Sequence, residues 1–280
     1  MIKRILVGLD GSEQSKIAGK YGIYLSKKLK KPVIGIHIID IRLLEGPFIE
    51  DIAGALGFTV YSDFTPKIKE ALEKRADIIL DAFAKECREE GADCSIVSAY
   101  GIVVNEIVNM ADPEDLIIVG KKGQHSEFTA LLLGSTSEAI ARKAPCPVMV
   151  THEIFKEIQN IVLAFDGREK SIHASQYISD TLKDLDIKKV TVISVLEEDS
   201  PEKKKHIQEL LEEYLKVDFE LKFMYGYPEE EITEFINSNL DKYDLLVMGA
   251  YGESKIKELI LGSTTSYILN HTQIATLLVK

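Results

Sequence analysis

The chain has 280 residues, 45% of them hydrophobic and 28% charged, with a formal net charge of −11. That is an ordinary globular composition, too acidic for a general nucleic-acid binder, which would present a basic face. No apolar run reaches the roughly 20 residues of a membrane helix, and at about 100–200 residues per domain the length predicts two domains.

The first apolar stretch, Ile5-Leu6-Val7, runs into Asp10-Gly11-Ser12 too soon for a signal peptide and reads as a strand, so a cytoplasmic location is expected. In chain order the patterning then predicts strand 2–10, helix 13–30, strand 32–40, helix 66–90, strand 93–100, helix 103–112, strand 115–120, helix 135–143 and strand 146–151. After a short linker near His152–Glu157 the alternation resumes. It gives strand 160–166, helix 169–184, strand 188–196, helix 201–216, strand 218–225, helix 228–241, strand 243–249, helix 263–271 and strand 274–279. Most strands are continuous apolar runs such as Ile161-Val162-Leu163, as expected for parallel strands covered on both faces. Strands alternating with helices predict an α/β fold of two doubly wound, mostly parallel five-stranded sheets, Rossmann-like, over residues 1–152 and 157–280. Cys87, Cys94 and Cys146 form no CxxC pair, and buried reduced thiols are expected.

The two halves repeat each other. The apolar run ending in Asp10-Gly11 returns at Asp166-Gly167, 156 positions on. The run ending in Gly120, with Gly123 after it, returns at Gly249 and Gly252, 129 positions on. Gly134-Ser135-Thr136 returns as Gly262-Ser263-Thr264, 128 positions on. Three matches in one order indicate duplication and an internal pseudo-dimer. The shrinking offset places an insertion at about 41–66 in the first half. That insertion is too apolar for a solvated linker; it reads either as a flap over a nucleotide or a surface for a partner chain, or as a segment packed on its own domain.

In an open parallel sheet, ligands bind beyond the carboxyl ends of the strands, where the strand order reverses. The Asp-Gly and the glycine loop both fall there. Glycine lets a backbone approach a ligand closely and adopt φ > 0. Helix-starting hydroxyls and free N–H groups favour phosphate. Asp10 and Asp166 can accept hydrogen bonds from adenine or ribose, or can simply cap helices. The histidines lack metal-ligand spacing; only His125, in the glycine loop, has a functional reading, as a phosphate contact or else as a solvated loop histidine. No GxxxxGK[ST] loop and no GxGxxG after the first strand is present, which argues against a P-loop enzyme and a dehydrogenase.

These residues resemble the universal stress protein family, whose nucleotide-binding members carry Gly-x2-Gly-x9-Gly-Ser/Thr. The second half matches as Gly249-x2-Gly252-x9-Gly262-Ser263; the first, Gly120-x2-Gly123-x10-Gly134-Ser135, is one residue longer. Ile5–Ser12 and Ala144–Val150 are also family-like, whereas Asp166-Gly167-Arg168-Glu169 lacks the serine, and the second closing strand lacks the Cys-Pro of the first. The resemblance implies a site for ATP, AMP or ADP, with Mg²⁺ carried on the phosphates. Asp10 and Asp166, with backbone at Ile38 and Val195, would hold the adenosine. The glycines with Ser135, Thr136, Ser263 and Thr264 would hold ribose and phosphates. Spacing favours the second half slightly and the more basic Lys121-Lys122 loop favours the first, so both are expected to be competent. The expected role is a nucleotide-binding stress sensor or regulator that pairs into homodimers and acts on a protein partner. The alternatives are a slow ATPase or adenylyl-transferring enzyme, for which Glu127, Glu253 and the two aspartates offer thin support, and a nucleotide-free interaction module.

Overall fold

The computed structural model describes residues 2–43, 65–123, 133–250 and 262–280. The first half contains β1 (Ile5–Gly8), α1 (Glu13–Leu29), β2 (Val33–Asp40), α2 (Thr65–Glu90), β3 (Cys94–Gly101), α3 (Val103–Asn109), β4 (Leu116–Gly120), α4 (Ser135–Lys143) and β5 (Val148–Thr151). The second contains β6 (Asn160–Ala164), α5 (Glu169–Asp180), β7 (Lys189–Leu196), α6 (Pro201–Tyr214), β8 (Phe219–Tyr225), α7 (Pro228–Asn237), β9 (Leu245–Gly249), α8 (Ser263–His271) and β10 (Ala275–Val279). Local chemistry sets several of these bounds. Ser12 caps α1 by accepting the Ser15 N–H, and Ser200 followed by Pro201 starts α6.

The two expected five-stranded parallel sheets are present, joined edge to edge as one ten-stranded sheet in the order β3-β2-β1-β4-β5-β10-β9-β6-β7-β8. Every pairing is parallel except β5 with β10, the seam between the halves. At the seam Thr276, Leu277 and Leu278 pair with Val150, Met149 and Val148. Apolar residues on both faces of the central strands feed two cores, one per face. Each core runs through both halves: one holds Ile5, Val7, Leu163 and Phe165, the other Leu6, Ile117, Val162 and Leu246. The linker is docked rather than loose. Phe155 packs edge-on to Tyr21 at 4.8 Å, and the Lys156 and Ile158 N–H groups donate to Tyr21 and Tyr24 Oη.

Two lysines tie the halves further. Lys121 Nζ donates to the carbonyls of Asn270 (2.7 Å) and Thr272 (3.2 Å) at the end of α8. Lys280 Nζ donates to those of Arg142 (3.2 Å) and Ala144 (2.6 Å) at the end of α4. The acceptors are repeat equivalents, and each lysine reaches from the opposite half.

The cysteines depart from expectation. Cys87, near the end of α2, and Cys94, the first residue of β3, form a disulfide with a Cα–Cα distance of 6.1 Å; Cys146 is the buried free thiol. The turn at Gly91 (φ 68°) folds the chain back so that the two meet. Sequence spacing gives no hint of this, because the turn and not a CxxC geometry brings the sulfurs together.

Candidate functional site

β1 lies between β2 and β4, so the strand order reverses at the β1/β4 crevice in the first half and at β6/β9 in the second. At the carboxyl end of β1 the Asp10 Oδ1 accepts the Ser12 N–H at 2.9 Å, which fixes the carboxylate in the turn that opens α1. A Cβ placed on Gly123 would lie 2.9 Å from Asp10 Oδ2, so this glycine is where backbone passes the carboxylate. The Gly134 N–H donates to Lys121 O at 2.8 Å, and a Cβ on Gly134 would lie 3.4 Å from Lys122 Cα and 3.6 Å from Gly123 N. Asp10, Gly123 and Gly134 therefore converge at one end of the crevice, although 113 and 124 positions separate the glycines from the aspartate. Gly134 is the N-cap of α4, which has no side-chain cap, and Ser135 and Thr136 on its first turn are exposed. N–H groups at such a terminus and two hydroxyls are suited to an anion.

The glycines do not work by positive φ as expected. Among the described residues of the candidate site, Gly120, Gly123, Gly134, Gly249 and Gly262 all lie outside that region; the left-handed turns fall at Gly11 (φ 85°) and Gly167 (φ 78°), directly after the two aspartates. Gly120 and Gly249 instead allow close packing. A Cβ on Gly120 would meet the Gln14 backbone carbon at 2.9 Å, and one on Gly249 would meet that of Lys170 at 2.5 Å. These two glycines seat the first turns of α1 and α5 on the ends of β4 and β9.

Ile38 and Val195 occupy corresponding places. The Leu9 N–H donates to Ile36 O, and the Phe165 N–H to Ile193 O; Ile38 and Val195 lie two residues further, where β1 and β6 have turned away.

The second half is set differently. Asp166 Oδ1 accepts the Arg168 N–H at 3.0 Å, and the Arg168 guanidinium lies 3.7 Å from the same carboxylate. Thr264 Oγ1 donates to Glu229 Oε2 at 3.2 Å. Gly262 caps α8, and among the described residues a Cβ there would meet Thr265 Oγ1, at 3.9 Å. Ser263 is exposed. Gly252 lies outside the described residues, as do His125, Glu127, Glu253 and residues 44–64 of the insertion.

Three features escaped the sequence reading. Arg75, on α2, donates to Asp10 O at 3.1 Å and brings a cation to the crevice. His37 is buried, its Nδ1–H donating to Leu9 O at 2.7 Å, and burial holds its pKa below the ordinary value. Lys121 was expected to favour phosphate binding, but its side chain is buried and committed to the end of α8. Burial, with Lys122 nearby, lowers its pKa to about 8. Among the described residues no His/Cys/Asp/Glu cluster suits a metal ion, and no helix is long and apolar enough to cross a membrane.

Known proteins resemble this chain in sequence and fold. Universal stress protein Slr1230 of Synechocystis is 27% identical over 286 residues, covering 99% of both chains. Universal stress protein MJ0577 of Methanocaldococcus jannaschii is 32% identical over 155 residues, 54% of this chain and 94% of that one. The crystal structure of a universal stress protein from Archaeoglobus fulgidus superposes with a TM-score of 0.76 over 99% of this chain and 98% of its own; at 19% identity the likeness is one of fold. The universal stress protein family model matches twice, at residues 1–152 and 157–280. With one match in each half of a duplicated sheet, the chain belongs to the universal stress protein family as a tandem member.

Proposed function

We propose that this protein binds an adenine nucleotide, ATP or a shorter adenosine phosphate, and acts as a nucleotide-responsive regulator rather than as an enzyme of high turnover. The observation that carries the reading is the convergence of Asp10, Gly123 and Gly134 at the β1/β4 switch point. Each of the three has a job there. Asp10 offers an acceptor for the adenosine part. The Gly123 backbone passes close enough to line the ligand. The start of α4, with Ser135 and Thr136, takes the phosphates. Ile38 supplies backbone on the adenine side. Mg²⁺ would arrive on the phosphates, whose oxygens can supply its ligands.

Calorimetry with ATP and magnesium, together with mass spectrometry of ligand retained through purification, tests the reading. Saturable binding that Ser135→Ala and Thr136→Ala together weaken about tenfold or more supports it. Lack of binding by ATP, ADP and AMP alike leaves the nucleotide-free interaction module in its place. Turnover well above background would instead favour the enzyme.

A further inference from the structure

Among the described residues, the two halves present different charges beside the helix starts where phosphates would sit. Tyr100-Gly101-Ile102-Val103 at the end of β3 corresponds to Tyr225-Gly226-Tyr227-Pro228 at the end of β8, 125 positions on. The structure supports that alignment. A Cβ on Gly101 would lie 2.5 Å from Glu106 Oε1, and one on Gly226 would lie 2.7 Å from Glu231 Oε1; the two glutamates are also 125 positions apart. By the same count Glu229 stands where the first half has Val104, and Val104 is a half-buried residue packed on the core.

The consequence falls on α8. In the first half Thr136 is exposed. Its equivalent, Thr264, is half-buried and spends its hydroxyl on the Glu229 carboxylate. Glu229, Glu230 and Glu231 form the first turn of α7, which packs against α8, whereas Glu106 is the acidic residue of the α3 first turn. A carboxylate held at the start of a helix is itself a favourable anion for that terminus. Held on the Thr264 hydroxyl at the start of α8, the Glu229 carboxylate repels a second anion there. The other anchor has diverged in parallel: Asp166 carries Arg168 beside it, where Asp10 is followed by the α1 cap Ser12.

We infer that Glu229 is a specificity-determining residue that excludes phosphates from the second half, so that the chain takes one anionic nucleotide, in the first half. This rests on the nucleotide reading above and reverses the preference that motif spacing alone suggests. Two like charges a few Å apart at a partly solvated surface interact strongly enough to change a Kd by about tenfold or more.

The test is calorimetry with ATP and magnesium on the full chain, with thermal unfolding of each variant as the folding control. Wild type is expected to bind one ATP per chain. Glu229→Val, which installs the residue of the first half, is expected to bind two, as is Glu229→Gln, which keeps the shape and removes the charge. Gly262→Val added to either is expected to remove the gained event by crowding the start of α8. The reciprocal Val104→Glu is expected to weaken the first-half site at least about tenfold. Two equivalent events in wild type, unaffected by Glu229→Gln, overturn the inference and leave the nucleotide reading standing. One event in wild type that stays single in both Glu229 variants also overturns it. Absence of binding in wild type and all variants overturns both readings.

Discussion

Met149 and Leu277 face each other across the antiparallel seam of β5 and β10, and they are the same residue of the repeat, 128 positions apart. The local two-fold axis relating the halves therefore passes between them. Their exposures are 1% and 2%, so the seam is part of the core and not a rim contact. Because both cores run through both halves, the halves are expected to unfold together. Leu277→Ala should cost about 2–5 kcal/mol, the usual range for deleting a buried leucine side chain. Urea unfolding followed by circular dichroism and by tyrosine fluorescence checks this. Coincident transitions with a lowered midpoint are expected; two separated transitions in wild type would show that the seam does not couple the halves.

The crossed lysine caps make a second prediction. Lys121 donates to two carbonyls at the end of α8, and Lys280 does the same for α4. Lys121→Met keeps most of the aliphatic stem and removes the donor, leaving carbonyls at a helix terminus without it. An unsatisfied buried acceptor costs about 1–3 kcal/mol, and a loss of stability in that range is expected by denaturant titration. An unchanged midpoint would show that water or another group satisfies the α8 terminus equally well.

Much of this architecture is legible in the sequence because its signals are local. Runs such as Ile161-Val162-Leu163 announce buried parallel strands, and Asp10-Gly11 announces a turn that must adopt a left-handed conformation at the glycine. The repeat then announces two copies of one unit packed as a pseudo-dimer, whereas the antiparallel pairing of their closing strands into one sheet is visible only in the structure. What stays hidden is chemistry decided by distant partners. Lys121 reads as a phosphate-binding residue until the structure places its amine on a carbonyl 149 positions away. Thr264 reads as a ligand hydroxyl until Glu229, 35 positions away, accepts from it. Gly120 and Gly249 read as loop glycines, yet the neighbour that demands them is a helix backbone, of Gln14 and Lys170. Arg75 reaches Asp10 from a helix whose start lies beyond the insertion, so no local pattern marks it.

The Cys87–Cys94 disulfide closes a small loop whose ends are seven positions apart, and ties α2 to the edge strand β3. Loop-closure entropy for so short a span is about 2–3 kcal/mol. Thiol titration of the denatured, unreduced protein is expected to find the single thiol of Cys146, and titration after reduction to find all three. Dithiothreitol should lower the urea midpoint accordingly, and Cys146→Ala should leave that difference in place. Three reactive thiols before reduction would overturn the assignment.

His152 follows β5 at the start of the linker, in a pocket lined by Tyr21, Glu153, Lys156 and Asp244. Burial, with Lys121 as the next cause, lowers its pKa to about 4 from the ordinary 6.5; Glu153 opposes and Lys122 assists. Above pH 6.5 the imidazole is neutral whether the chain is folded or unfolded. Between 6.5 and about 4 the unfolded chain takes up this proton and the folded chain does not, so each step down in pH favours unfolding. The stability is fully present above pH 6.5, declines through the window, and its loss levels off once the folded state also protonates near pH 4. Buried His37, whose pKa is also lowered, contributes in the same direction. The window from pH 6.5 down to about 5 is the diagnostic one, because carboxylates add their own titration at lower pH. His152→Gln should flatten the pH dependence of unfolding free energy there by up to one proton, and His37→Gln should remove a further part. Wild-type stability that is level from pH 7 to 5, or a slope untouched by His152→Gln, would show that this imidazole is protonated in the folded chain and has found an acceptor.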